Sequence, residues 1–177
     1  YEDPALRSVQ IEDFSDIQYR GFIEGFYGGW DYKSRESLMR FARDVKMNHY
    51  IYASKTDPYH TSKWGELYPQ SEIDQIQKLV KVGEETKCYY TWSVHISGFF
   101  TNLDTSNETA YNERYQKLLA KFRQLYDAGV RKFDILNDDF GQGTHEDVVN
   151  LLNKLTKEFI IPNNCKPITY CMQGYNK

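Results

Sequence analysis

From Arg20 onward the sequence alternates short apolar runs with longer amphipathic stretches, and no other feature constrains the fold as tightly. Arg20 to Phe26 has the character of a strand, and Gly28-Gly29 supplies a turn after it. A helix is predicted from Ser34 to Val45, with Ser34 and Ser37 available for capping and Leu38, Phe41, Ala42 and Val45 on one face. His49 to Ala53 reads as a second strand, and Ser71 caps a helix carrying Ile73, Ile76, Leu79, Val80 and Val82. Cys88 to Val94 is a third strand. Tyr111 to Tyr126 is a long helix with Tyr115, Leu118, Leu119, Phe122 and Leu125 aligned, stopped by Gly129. Val130 to Leu136 is a fourth strand, and Glu146 to Phe159 a fourth helix with Val149, Leu152, Leu155 and Phe159 inward. Pro167 to Cys171 begins a fifth strand.

Strand–helix units repeated in this way favour an α/β fold with a parallel sheet and a ligand site beyond the C-terminal ends of its strands. The pattern alone does not separate a doubly wound sheet from a (β/α)8 TIM barrel, of which the chain would cover only about the first half. Residues 1–18 lack a helical unit tied to the strand that begins at Arg20. They read as the tail of a preceding domain and a linker, with 19–177 as the α/β portion.

The chemistry concentrates at Asp138-Asp139, two adjacent carboxylates where an apolar run (Phe133, Ile135, Leu136) gives way to a glycine-containing loop. In a barrel the C-terminal ends of the strands form the catalytic face. Two acids that close influence each other's ionisation, a device for acid/base work near neutral pH. Other polar residues also come directly after strands: Gly25 and Tyr27, Lys55 and Asp57, His95, and Tyr175.

Composition removes several partners. A net charge of -3 and a pI near 5.8 argue against a nucleic-acid polyanion. No apolar run approaches the roughly 20 residues of a membrane helix, which argues against membrane insertion. The opening Tyr1-Glu2-Asp3-Pro4 is acidic and polar, unlike a secretory signal, which leaves destination open. Cys88, Cys165 and Cys171 have neither zinc-site spacing nor the number for a disulfide framework, and the four histidines are scattered, so no metal and no cofactor is expected. The 15 tyrosines and 3 tryptophans offer flat apolar faces with polar edges, which suit a sugar.

Three blocks carry a resemblance: Glu24-Gly25-Phe26-Tyr27-Gly28, then Tyr50-Ile51-Tyr52-Ala53-Ser54-Lys55-Thr56-Asp57-Pro58-Tyr59-His60, then Asp138-Asp139. In order and interval they resemble glycoside hydrolase family 84, the O-GlcNAcases and bacterial β-N-acetylglucosaminidases, some described as hyaluronidases. The resemblance covers about Tyr19 to Tyr175 and implies a (β/α)8 barrel, with residues 1–18 as the exit of a small α/β domain. It implies a retaining exo-β-N-acetylglucosaminidase whose substrate's own 2-acetamido oxygen attacks the anomeric carbon. Asp138 would orient the acetamido group and Asp139 would act as general acid/base. Gly25 would contact a sugar hydroxyl through its backbone, Lys55 would donate to sugar hydroxyls, and Tyr27 and Tyr175 would line the pocket. Asp57 is expected to fix its loop, and His60 and Trp64 to shape it. The implied partners are GlcNAc-terminated glycans or glycoproteins, the rest of the barrel and flanking modules. Bacterial members with a preceding domain favour an extracellular location, with a cytoplasmic one as the alternative.

Thr56, the run His95-Ile96-Ser97-Gly98, Asn137 and the segment Tyr170 to Tyr175 depart from the family pattern. Those departures keep a second class open, a carbohydrate-binding protein on a degenerate hydrolase barrel. A third reading, a glycosidase with an enzyme nucleophile, needs carboxyls about 5–5.5 Å apart across the sugar, awkward for sequence neighbours.

Overall fold

A computed structural model describes residues 10, 12–139 and 141–174. Five strands form one sheet: β1 (Gly21–Glu24), β2 (His49–Tyr52), β3 (Tyr89–His95), β4 (Phe133–Leu136) and β5 (Thr169–Cys171). They lie in sequence order and every neighbouring pair is parallel. A doubly wound sheet reverses its strand order at a switch point. An unbroken order with a helix after each of the first four strands is the arc of a (β/α)8 barrel, which settles the alternative that the pattern left open.

Successive strand residues face opposite sides. On the side turned to the helices stand Tyr50, Trp92 and Phe133, all fully buried. Phe122 of α4 (Glu108–Asp127) stacks on Phe133 with ring centres 4.6 Å apart, and Phe159 meets both edge-on at 5.6 Å. The other side is polar: Asp134 is buried and accepts from the Lys132 ammonium at 2.7 Å, and Thr91 and Ser93 lie there without exposure.

The helix ends obey local capping chemistry. For α1 (Tyr32–Asp44) the cap is Asp31, whose carboxylate accepts from the Ser34 N–H at 2.7 Å, rather than Ser34 itself. Its buried residues are Arg35, Met39 and Ala42, while the expected Phe41 and Val45 are exposed. The cause is electrostatic. Arg35 is drawn inward by the fully buried Glu24, and the helix turns with it. Likewise α2 (Gln70–Thr86) starts at Pro69 rather than with a Ser71 cap, and Asn107 caps α4. The last helix, α5 (His145–Leu155), opens with a Thr144–Asp147 capping box and continues as a π-type turn over Thr156–Ile160. It buries Val148, Leu151 and Leu155, so the face is rotated by one residue from the predicted Val149 and Leu152. A short helix α3 (Ser97–Phe100), not expected from the sequence, comes after β3.

Glu24 closes β1 with no exposed surface. It accepts from Arg35 Nε and Nη2, each at 2.8 Å, from the Trp30 N–H at 3.0 Å and from the Tyr50 hydroxyl. Removing one member of a buried pair strands the other charge, at about 3–5 kcal/mol. Glu24→Leu is therefore expected to lower unfolding free energy by about that amount in denaturant titrations. The double variant Glu24→Leu/Arg35→Met should recover only part of the loss, because Trp30 N–H and the Tyr50 hydroxyl stay unpaired.

Candidate active site

The C-terminal ends of the strands deliver their loops to one rim. Backbone bonds from Ala53 N to Glu24 O and from Lys55 N to Phe26 O, both 3.1 Å, knit the loop after β1 to the loop after β2. Gly29 permits that approach, since a Cβ there would stand 2.3 Å from Ser54 Oγ and 2.6 Å from Glu24 Oε1. Across the rim, Asp138 sits with its Oδ2 3.8 Å from Lys55 Nζ and its Oδ1 2.9 Å from His95 Nε2. Oδ1 is buried. The His95 contact lies off the line of a directed hydrogen bond, so Oδ1 has no aligned donor among the described residues. Asp138 keeps 18% of its side-chain surface, whereas Asp139 is exposed. The neighbours thus occupy different settings, one recessed beside two nitrogen groups and one open.

Buried polar contacts hold this rim in place. Asp57 accepts from the Tyr52 hydroxyl at 3.0 Å, the Tyr68 hydroxyl at 2.6 Å and the Tyr59 N–H at 2.8 Å. It fixes the loop as expected, and among the described residues it forms no hydrogen bond or ion pair with Lys55. Burial, helped by the Asp57 charge, pushes the Tyr52 phenol far above its ordinary range, so Tyr52 stays a neutral donor. His60 is buried with Nδ1 2.8 Å from Ser93 O, and its backbone carbonyl accepts from His95 N at 2.9 Å. Burial pushes the His60 imidazole down to about 4, which fits a neutral ring donating to that carbonyl. Trp64 packs edge-on to Phe99 at 5.4 Å, a shaping role. On the loop after β4, Asn137 is buried and clamps Gln142, donating to its carbonyl and accepting from its N–H, both at 3.2 Å.

Of the positions predicted from the sequence, Asp138, Asp139 and Lys55 share the rim. Gly25 is exposed, and a Cβ on it would meet only Ile23 atoms at 3.5 and 3.6 Å, so the fold does not require glycine there. Tyr27 is 79% exposed and does not pack beneath the site. Tyr175 lies outside the described residues. Sequence reasoning missed Lys121 on α4, fully buried, whose ammonium donates to Tyr59 O and Lys63 O at 2.8 Å each. It also faces the rings of Tyr59, Tyr68 and Trp92 at 5.3, 5.2 and 5.9 Å. A lysine on a helix gives no sequence signal of burial; only the shared spacing with Leu118 and Leu125 hints at it.

Carboxylates recessed and exposed side by side stand at the C-terminal rim of a sequential parallel arc, the face where α/β barrels carry their sites. The family model of beta-N-acetylglucosaminidase matches residues 20–177, and the chain belongs to that family, the glycoside hydrolase family 84 to which its motifs point. The Protein O-GlcNAcase of Rattus norvegicus is 29% identical over 120 residues, 67% of this chain and 12% of the relative. The structure of CpGH84D is similar at 40% identity and a TM-score of 0.83, covering 90% of this chain and 27% of that one. CpGH84B is similar at 35% identity and a TM-score of 0.79, over 86% of this chain and 27% of that one. A mutant O-GlcNAc hydrolase from Thermobaculum terrenum is 25% identical with a TM-score of 0.75, over 89% of this chain and 36% of that one. The chain therefore spans about a tenth of the curated relatives and roughly a third of the solved ones. Among the described residues no helix is long and apolar enough to cross a membrane.

The Lys121 staple yields a pH prediction. Burial pushes its ammonium down to about 7, against the pull of Asp57 and Glu66. Between that value and the unfolded lysine range near 10.4, the unfolded chain binds more protons, so stability rises with pH through this window. Below about 7 the full cost of burying the charge is present. Denaturant unfolding at pH 6, 8 and 9.5 is expected to show a rise of about 1 kcal/mol per pH unit above neutrality that Lys121→Met removes.

Proposed function

We propose that the protein is a retaining exo-β-N-acetylglucosaminidase that releases terminal β-linked GlcNAc from glycoproteins or glycans, with the substrate's 2-acetamido oxygen as nucleophile. One observation carries this reading: neighbouring carboxylates in unequal settings, Asp138 recessed between His95 and Lys55, Asp139 open on the same rim. A recessed, ionised Asp138 accepts from the acetamido N–H and turns its carbonyl oxygen toward the anomeric carbon. As that oxygen bonds to carbon, the glycosidic bond breaks and Asp139 gives its proton to the leaving alcohol. Asp138 then balances positive charge on the oxazolinium ring. Asp139, now a base, takes a proton from water as it attacks the same carbon and opens the ring, so two inversions retain the β configuration. Tethering nucleophile to substrate supplies much of the acceleration.

The surrounding residues fit the roles given them. Lys55 presents a cation to the sugar's hydroxyls. Gly25, free of any packing demand, lets a hydroxyl reach its backbone, and the exposed Tyr27 is free to cover the ring. Tyr175 keeps its pocket role through the family resemblance. The names of the relatives, O-GlcNAcase and O-GlcNAc hydrolase, support GlcNAc as the sugar. The secreted character of bacterial members with a preceding domain favours extracellular glycans.

The test is a series of aryl β-N-acetylglucosaminides of graded leaving-group acidity, hydrolysed by the protein extended through the complete barrel. Asp139→Ala is expected to lose about 10²–10⁴-fold on poor leaving groups and far less on activated ones, because only the former need a proton. Replacing the 2-acetamido group by hydroxyl should abolish turnover by the parent. Brisk hydrolysis of the aryl glucoside would overturn the reading in favour of an enzyme nucleophile. GlcNAc binding without any turnover would overturn it in favour of a sugar-binding barrel.

A further inference from the structure

His95 closes β3 with 7% of its surface exposed and takes no part in the chemistry above. Its ring lies between Ser97 and Asp138. Nδ1 is 2.9 Å from Ser97 Oγ and 3.4 Å from the Ser97 backbone nitrogen. A backbone N–H can only donate, so Nδ1 is the acceptor and the hydrogen of the neutral ring resides on Nε2. That nitrogen is the one 2.9 Å from Asp138 Oδ1. The arrangement is a relay in which Ser97 selects the tautomer and His95 presents a donor to the recessed carboxylate.

We infer that His95 is a positioning residue for Asp138: its Nε2–H, held in that tautomer by Ser97, fixes the carboxylate's rotation and reserves Oδ2, on the Lys55 side, for the ligand's amide N–H. The inference rests on the acetamido-orienting role of Asp138 proposed above. Geometry argues for it from both ends of the ring. On the carboxylate side, Oδ1 is buried and has no other donor within reach among the described residues, and a buried acceptor left unpaired loses its hydration with nothing in return. On the backbone side, His95 N already bonds to His60 O, and β3 holds the ring's Cα through its pairing with β4. The ring is therefore not needed to seat the strand. The short, off-line approach of Nε2 is what a catalytic contact looks like before substrate tightens it.

The charged and titratable groups facing the imidazole are Asp138 and Asp139 from the loop after β4, and Lys55 and His60 from the loop after β2. Burial lowers the His95 pKa, Asp138 pulls it back up and Lys55 lowers it again, with a net fall. The ring is thus neutral, and the Nε2–H tautomer dominant, at neutral pH.

The discriminating pair is His95→Phe, which keeps the ring's volume without a donor, and His95→Gln, whose amide N–H reaches close to the Nε2 position. Both are made in the protein extended through the complete barrel and assayed on the aryl β-N-acetylglucosaminide series, beside Asp138→Asn and a thermal melt of each. His95→Phe is expected to lower kcat about 10- to 100-fold, with KM changed by no more than about twofold. The loss should be equal for activated and poor leaving groups, because it acts on ring closure and not on protonation by Asp139. The acid limb of kcat/KM should move to higher pH, since the ionised carboxylate has lost a donor. His95→Gln should restore most of kcat and return the limb toward its parent position. Parent-like kcat and pH profile in His95→Phe would overturn the inference. So would equal losses in both variants with lowered Tm, which would make the ring mere packing. If instead Asp138→Asn turns over at the parent rate, the proposed role of Asp138 fails whatever His95 does, and the two failures are told apart.

Discussion

Glu24 is the point on which the rim depends. A carboxylate with no exposed surface is tolerable only when donors surround it, and here Arg35, Trp30 N–H and Tyr50 come from a helix, a loop and the next strand. That set of contacts ties β1 to α1 and β2 at one height. It also folds the 25–30 segment back over the strand end, which brings Phe26 O to Lys55 N. The position of Lys55 opposite Asp138 results from a contact made one loop away. An apolar pair of equal volume could hold the strand, but it could not turn the loop, because Trp30 N–H would then have no acceptor.

The loop after β2 repeats this logic on a larger scale. It is long and carries Lys55, and besides the packing of Tyr59, Trp64 and Tyr68 on the core it is held by buried polar groups. Asp57 gathers Tyr52, Tyr68 and its own chain, His60 docks on Ser93, and Lys121 rises from α4 to bond the carbonyls of Tyr59 and Lys63. Each contact is costly to leave half made and worth only a modest net gain when complete. A satisfied polar network holds one geometry where an apolar contact tolerates several, and it keeps Lys55 at a set distance from Asp138.

Much of this was legible in the sequence. The strand–helix alternation located all five strands and the four long helices, because apolar periodicity is a local property. The acid pair could be placed at a strand end for the same reason. Helix faces were less legible. In α5 the adjacent pairs Val148-Val149 and Leu151-Leu152 offer two apolar stripes one residue apart, and spacing cannot choose between them; the Thr144–Asp147 cap and the sheet do. In α1 the choice was made by Arg35, a residue that pattern reading assigns to solvent, because its partner Glu24 is distant in sequence and buried. Lys121 was invisible on the same ground. Charges that serve the interior announce themselves only through partners that the fold supplies.

Three of the departures from the family pattern, Thr56, Asn137 and His95, lie on loops or strand ends at the same rim. Thr56, where members commonly have an acid, shares a hydrogen bond with Ser54 Oγ at 3.0 Å. Asn137, where an aromatic residue often stands, closes the loop after β4 on Gln142 and takes a backbone bond from its own N–H to Cys171 O at 3.0 Å. His95 and Ser97, in place of the usual loop sequence, supply Asp138 with a nitrogen on the side away from Lys55. Thr56, Asn137 and His95 each have a partner, and of the three His95 reaches the acid pair directly, at Asp138 Oδ1. Asn137 stands one residue before Asp138, so the clamp on Gln142 and the bond to Cys171 hold the chain from which that carboxylate extends, while His95 meets it from the neighbouring strand.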